Sequence, residues 1–89
     1  MLEMIVKELH WYKRIEVFRV INGWSQTEAA NRCQTYQNIY WRWEKGISYP
    51  RPQNKRTLAR AFGIKIEDIF SVNDKTLNNL HLIILPYLN

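Results

Sequence analysis

Gln37, Asn38, Trp41, Arg42 and Lys45 recur at the three- and four-residue intervals that bring side chains to one side of an α-helix. Together they have the chemistry of a reader of base edges. A side-chain amide can form paired hydrogen bonds with adenine and a guanidinium with guanine, each good pair discriminating by about 1–3 kcal/mol. An ammonium adds charge that neutralises phosphate. Trp41 stays open between contact with a thymine methyl or sugar and folding over a neighbouring helix. Tyr36, Ile39, Tyr40 and Trp43 fall on the other side of the wheel and are expected to face the core. Tyr36 also stands at the start of this helix, so it is counted among the DNA-contact candidates as well.

Such a face has to be held by other helices, and the chain supplies their boundaries. Helix one is expected to be long and to run from the N-terminus, with Leu9, Trp11, Ile15, Phe18 and Ile21 inward and Gly23 as its stop. Helix two, residues 26–33, opens on a capping box of Ser25 and Glu28, with Trp24 before it as a hydrophobic staple. Ala29, Ala30 and Cys33 form its inward side, small enough for close helix approach. Helix three runs from Tyr36 or Gln37 to Lys45 and ends at Gly46, and Pro50 and Pro52 then break a loop. Leu58, Ala61 and Phe62 are the inward residues of helix four, 53–62, which Gly63 closes, and "KIEDIF" begins a fifth near residue 66. From Ser71 the tail reads either as a sixth helix burying Leu77, Leu80 and Ile84 or as a strand at 80–85, with Pro86 stopping both.

The 89 residues suit one domain, and 46% hydrophobic with 24% charged residues is the composition of a folded protein, not of a disordered tail. Of the net charge of +5, the segment from Arg32 to Arg60 carries an excess of six, its seven basic residues opposed by Glu44 alone, while the remainder sums to −1. A basic excess confined to one third of the chain points to a polyanion partner, against the plainer reading of a solvated basic face. The longest apolar run, "LIIL" at 82–85, is far short of the roughly 20 residues that span a bilayer, so no membrane association is expected. The N-terminal "MLEMIVKELH" has acidic residues where a secretory leader is basic, and cytoplasmic residence is the expectation. Cys33 reads as a small core residue. His10 and His81 are isolated, so no metal, cofactor or catalytic site is expected, and the chain does not read as an enzyme.

From Arg19 to Phe70 the ordered combination "GWSQTEAA", "YWRWEKG", the Pro-containing loop and "LARAFGIKIEDIF" resembles the phage repressor and Cro type of helix-turn-helix, the XRE family. The resemblance implies an all-α, compact five-helix helix-turn-helix domain, lambda-repressor-like, over residues 1–70. Residues 71–89 then form a C-terminal extension, an additional helix or strand for packing or dimerisation. Position by position, Gln26 resembles the glutamine that touches the DNA backbone from the start of helix two. Gln37, Asn38, Trp41 and Arg42 match positions facing bases or flanking phosphates, and Lys45, Arg51, Lys55 and Arg56 become phosphate candidates. Arg19 and Glu44 resemble a structural ion pair between helices one and three. The chain departs from the family pattern at three places. Gln34 stands at the turn's usual glycine, where a left-handed conformation costs roughly 1–2 kcal/mol, so a turn of different shape is expected. Tyr36 replaces a capping Ser or Thr, which would leave Thr35 to cap. Ala29 replaces a larger apolar residue, leaving space for Trp24 and Trp43.

The function this implies is a sequence-specific double-stranded DNA-binding transcriptional regulator, a repressor acting as a homodimer on a palindromic operator. The alternative is an antitoxin-like or adaptor module that keeps the helix-turn-helix but engages a protein partner through Trp41 and the tail. Single-stranded nucleic-acid binding by stacked aromatics is weaker, because most of those aromatics read as buried.

Overall fold

The computed structural model describes Val6 and residues 8–71, and the readings made for the tail beyond Ser71 lie outside these residues. The described chain is all-α, with five helices and no strand among the described residues: α1 Trp11–Ile21, α2 Gln26–Arg32, α3 Gln37–Glu44, α4 Pro52–Phe62 and α5 Ile66–Phe70. α2 packs on α3, α1 packs on both α3 and α5, and α4 packs on α5.

Helix one is shorter than its spacing implied. His10 is extended at φ −64°, ψ 156°, so α1 begins at Trp11 and no helix runs continuously through His10. Ile21 is also exposed, contrary to expectation. Three-residue steps from Ile15 through Phe18 fall short of a full 3.6-residue turn, and by Ile21 the shortfall has carried the side chain off the core face. Arg14 takes an inward position instead, with 1% of its surface exposed. Its Nε donates to the Leu9 carbonyl at 2.8 Å, and Nη1 donates to the Ile69 carbonyl at 3.3 Å and to Ser71 Oγ at 3.2 Å. Those acceptors offset the desolvation of the guanidinium, which still lowers its proton affinity despite the opposing charge of Asp68.

Four helices end in the same way. After α1, α2, α3 and α4 a residue turns left-handed, and the next N–H reaches back five residues: Trp24 to Arg19, Thr35 to Ala30, Ile47 to Arg42, Ile64 to Ala59, at 2.9–3.1 Å. Glycine fills three of those left-handed positions and Gln34, at φ 56°, the fourth. The turn after α2 therefore keeps the left-handed shape that was expected to change; satisfying the helix-end carbonyls outweighs the side-chain clash. At Gly46 a second demand applies, because a Cβ there would stand 3.0 Å from Tyr12 Cδ1.

Ile15, Ala29, Ala30, Cys33, Tyr40, Trp43, Leu58, Ala59, Phe62 and Ile69 make up the core, with Trp24 half-buried against it. Trp24 stacks on Phe62 of α4 with centroids 5.6 Å apart, which fixes the entry to α2 across the domain. Fully burying a side chain such as Ile15, Leu58 or Ile69 stabilises by roughly 1.5–3 kcal/mol each. Pro50 is also fully buried and pins the loop between α3 and α4.

Candidate nucleic-acid interface

α3 is anchored from its inner side. Tyr40 and Trp43 are buried and meet edge-to-face at 6.2 Å. Glu44, one turn on from Tyr40, is 2% exposed and accepts from Arg19 Nε at 2.6 Å and Nη2 at 3.2 Å. The expected pair between helix one and helix three is thus present, and that bond raises the Arg19 proton affinity against its partial burial. Arg19 Nη1 also donates to the Trp24 carbonyl at 2.9 Å, tying the start of α2 to the same point.

Ser25 caps α2 by accepting from the Glu28 N–H at 3.1 Å. The Glu28 carboxylate takes a bond at 2.8 Å from Arg32, whose guanidinium also lies 4.5 Å above the Trp24 ring. Both members of that pair are well exposed, so it contributes a few tenths of a kcal/mol at most. At the start of α3 the N-cap is Tyr36 with no side-chain hydrogen bond, so Thr35 does not cap and the helix start does not shift.

Burying Tyr40, Trp43 and Glu44 turns Asn38, Trp41, Arg42 and Lys45 outward, with Gln37 at the margin, and all five are exposed. Gln37 Oε1 accepts from Thr27 Oγ1 at 3.0 Å, which orients the first amide of the face from α2. Tyr36 and Ile39 do not join the core as the wheel suggested; they are 76% and 37% exposed. Tyr36 precedes the first helical residue, where wheel angles do not apply, and Ile39 lies at the edge of the buried arc. Two of the stretch's four aromatics are therefore core, not three. The outward face carries amide, indole, guanidinium and ammonium groups, and the one acid of α3, Glu44, is buried on the inner side.

The flanking candidates divide. Gln26 is half-buried at the first turn of α2, its Nε2 donating to Glu44 Oε1 at 3.3 Å, so it shares the anchor of α3. Arg51, the N-cap of α4, and Arg56 are exposed. Lys55 is drawn into an aromatic group, its Nζ 4.3 Å from the Tyr49 centroid and 4.9 Å from that of Phe70. Trp11 packs on both of those rings, so Lys55 sits where the start of α1 meets the end of α5. Thr27 and Arg14 were not anticipated. A hydroxyl one residue into α2 was a legible partner for Gln37, whereas nothing local marks an arginine as buried.

Two buried acids hold their protons. Burial pushes the Cys33 thiol up to about 12, consistent with a small core residue. The Tyr40 hydroxyl, beside Glu44 but without a partner in hydrogen-bonding geometry among the described residues, is held far above the usual phenol range by burial first and the carboxylate second. No group of His, Cys, Asp and Glu among the described residues could hold a metal ion, and no described helix is long and apolar enough to cross a membrane. Compared with known proteins, the chain matches no family model, no curated protein and no solved structure.

Proposed function

We propose that the chain is a sequence-specific double-stranded DNA-binding regulator in which α2, the Gln34 turn and α3 act as a helix-turn-helix and α3 enters the major groove. The observation that carries this reading is the division of α3. Glu44 is consumed by Arg19 and Gln26 on the inner side, while Asn38, Trp41, Arg42 and Lys45 stand exposed with no acid among them. Amides and a guanidinium on one helix face suit base edges, and Lys45, Arg51 and Arg56 supply phosphate neutralisation around it. A helix as short as α3 reads few base pairs, so a homodimer on two half-sites about 34 Å apart would multiply its specificity, and occupying a promoter would repress it.

Selection of bound duplexes from a randomised pool of about 30 base pairs tests the proposal. A palindrome with half-sites one helical turn apart is the expected result; no enrichment by folded protein at low salt would overturn it. Exposed Val20 and Ile21 at the end of α1 favour a second reading, an antitoxin-like or adaptor module binding a protein. Salt separates the two. Neutralising about five phosphates per subunit gives a log–log slope near −4.5 per subunit, about −9 for the homodimer, whereas an apolar protein interface would barely respond.

A further inference from the structure

Trp41 lies outside the core cluster and is 40% exposed. At helical spacing it stands on one ridge between Gln37 and Lys45, with Asn38 and Arg42 on the adjoining ridge. The Lys45 ammonium is 5.9 Å from its ring centroid, which biases the indole to lie along the helix surface amid hydrogen-bonding groups. An apolar plate in that position costs solvation in the free protein and cannot make the paired hydrogen bonds that distinguish purines, since indole offers one N–H donor and no acceptor. The major groove presents one apolar group on a base edge, the C5-methyl of a pyrimidine.

Building on the duplex-binding reading, we infer that Trp41 reads a pyrimidine C5-methyl next to the purine contacted by Asn38 or Arg42. The positive charge of Arg42 and Lys45, with Glu44 turned inward, holds the face against the groove so that the methyl is taken out of water on the indole. The same contact would accept thymine or 5-methylcytosine, because both carry the methyl at C5. Burying one methyl is worth roughly a fourfold change in affinity.

The test uses the full chain and the duplex enriched from the random pool, with each thymine replaced in turn by uracil. Wild-type protein is expected to lose about fourfold at one position per half-site. Trp41→Gln should bind the thymine and uracil duplexes equally there, with its helical circular dichroism unchanged. At that position, 5-methylcytosine should bind more tightly than cytosine by a similar factor; a response to thymine but not to 5-methylcytosine would overturn the reading that the C5-methyl itself is recognised. A tightly bound duplex indifferent to uracil at every position would overturn this inference and leave the duplex reading standing. Retention of no duplex at all would overturn both.

Discussion

Replacing Arg19 with methionine isolates the anchor of α3. The substitution removes the two guanidinium bonds to Glu44, at 2.6 and 3.2 Å, and leaves a carboxylate that is 2% exposed with Gln26 Nε2 at 3.3 Å. Removing one member of a buried pair costs about 3–5 kcal/mol, because the remaining charge stays desolvated. The Trp24 carbonyl loses its bond to Nη1 as well, which adds about 1 kcal/mol. A chain of this size has roughly 4–13 kcal/mol of total stability, so Arg19→Met at pH 7 should remove a large part of it. Urea unfolding followed by tryptophan fluorescence measures the loss as a shift in midpoint at constant slope. Glu44→Leu combined with Arg19→Met removes both charges, and the double variant should regain most of the loss, except for the bond to Trp24. A single-variant cost below about 1 kcal/mol, or a double variant as unstable as the sum of the two singles, would refute the argument that desolvation makes this pair matter.

Arg42→Ala should leave the unfolding midpoint unchanged, since the side chain is exposed, while relaxing base preference at one position of the enriched duplex by about 1–3 kcal/mol in competition binding. Gly46→Ala should destabilise more than Gly23→Ala by thermal unfolding. Both meet the left-handed penalty of roughly 1–2 kcal/mol, but only at Gly46 does the new Cβ press on Tyr12, while at Gly23 nothing lies within 4 Å. Gln34→Gly should stabilise by up to about 1 kcal/mol, relief of the backbone strain being partly offset by the freer unfolded chain, as read from the urea midpoint. Folding raises the Cys33 thiol from 9.0 to about 12, so the folded state keeps a proton the unfolded chain gives up. Its contribution to stability is complete well below pH 9 and is lost as pH rises toward 12, about 1.4 kcal/mol by pH 10. Urea midpoints taken from pH 7 to 10 should fall, and Cys33→Ala should flatten the fall.

Much of this architecture was legible because its signals are local. The left-handed stops at Gly23, Gly46 and Gly63, the serine cap of α2 and the small inward side of α2 each depend on residues a turn or less apart. The Arg19–Glu44 pair lay beyond local reasoning and came from the family resemblance. What escaped depends on contacts distant in sequence. Whether Arg14 is buried is decided by Ile69 and Ser71, and whether Lys55 faces solvent is decided by Phe70. Tyr36 and Ile39 were misplaced for another reason: a wheel gives angles but not the width of the buried arc, which is set by how closely α1 and α2 approach α3. Gln34 shows the limit of substitution rules, since the carbonyls at the end of α2 impose a left-handed residue whichever side chain occupies the position.

The Arg14 guanidinium joins Leu9, Ile69 and Ser71, groups drawn from both ends of the described chain. In the order of folding, two of its bonds span 55 and 57 residues, so they close a loop of nearly the full length of the described chain and bear a large closure entropy. α2, its turn and α3 are neighbours in sequence and can associate before that loop closes. A clasp made last contributes mostly to the barrier against unfolding and little to the speed of folding. Arg14 is therefore expected to act as a kinetic lock, its loss shortening the lifetime of the assembled α3 face far more than it slows its formation.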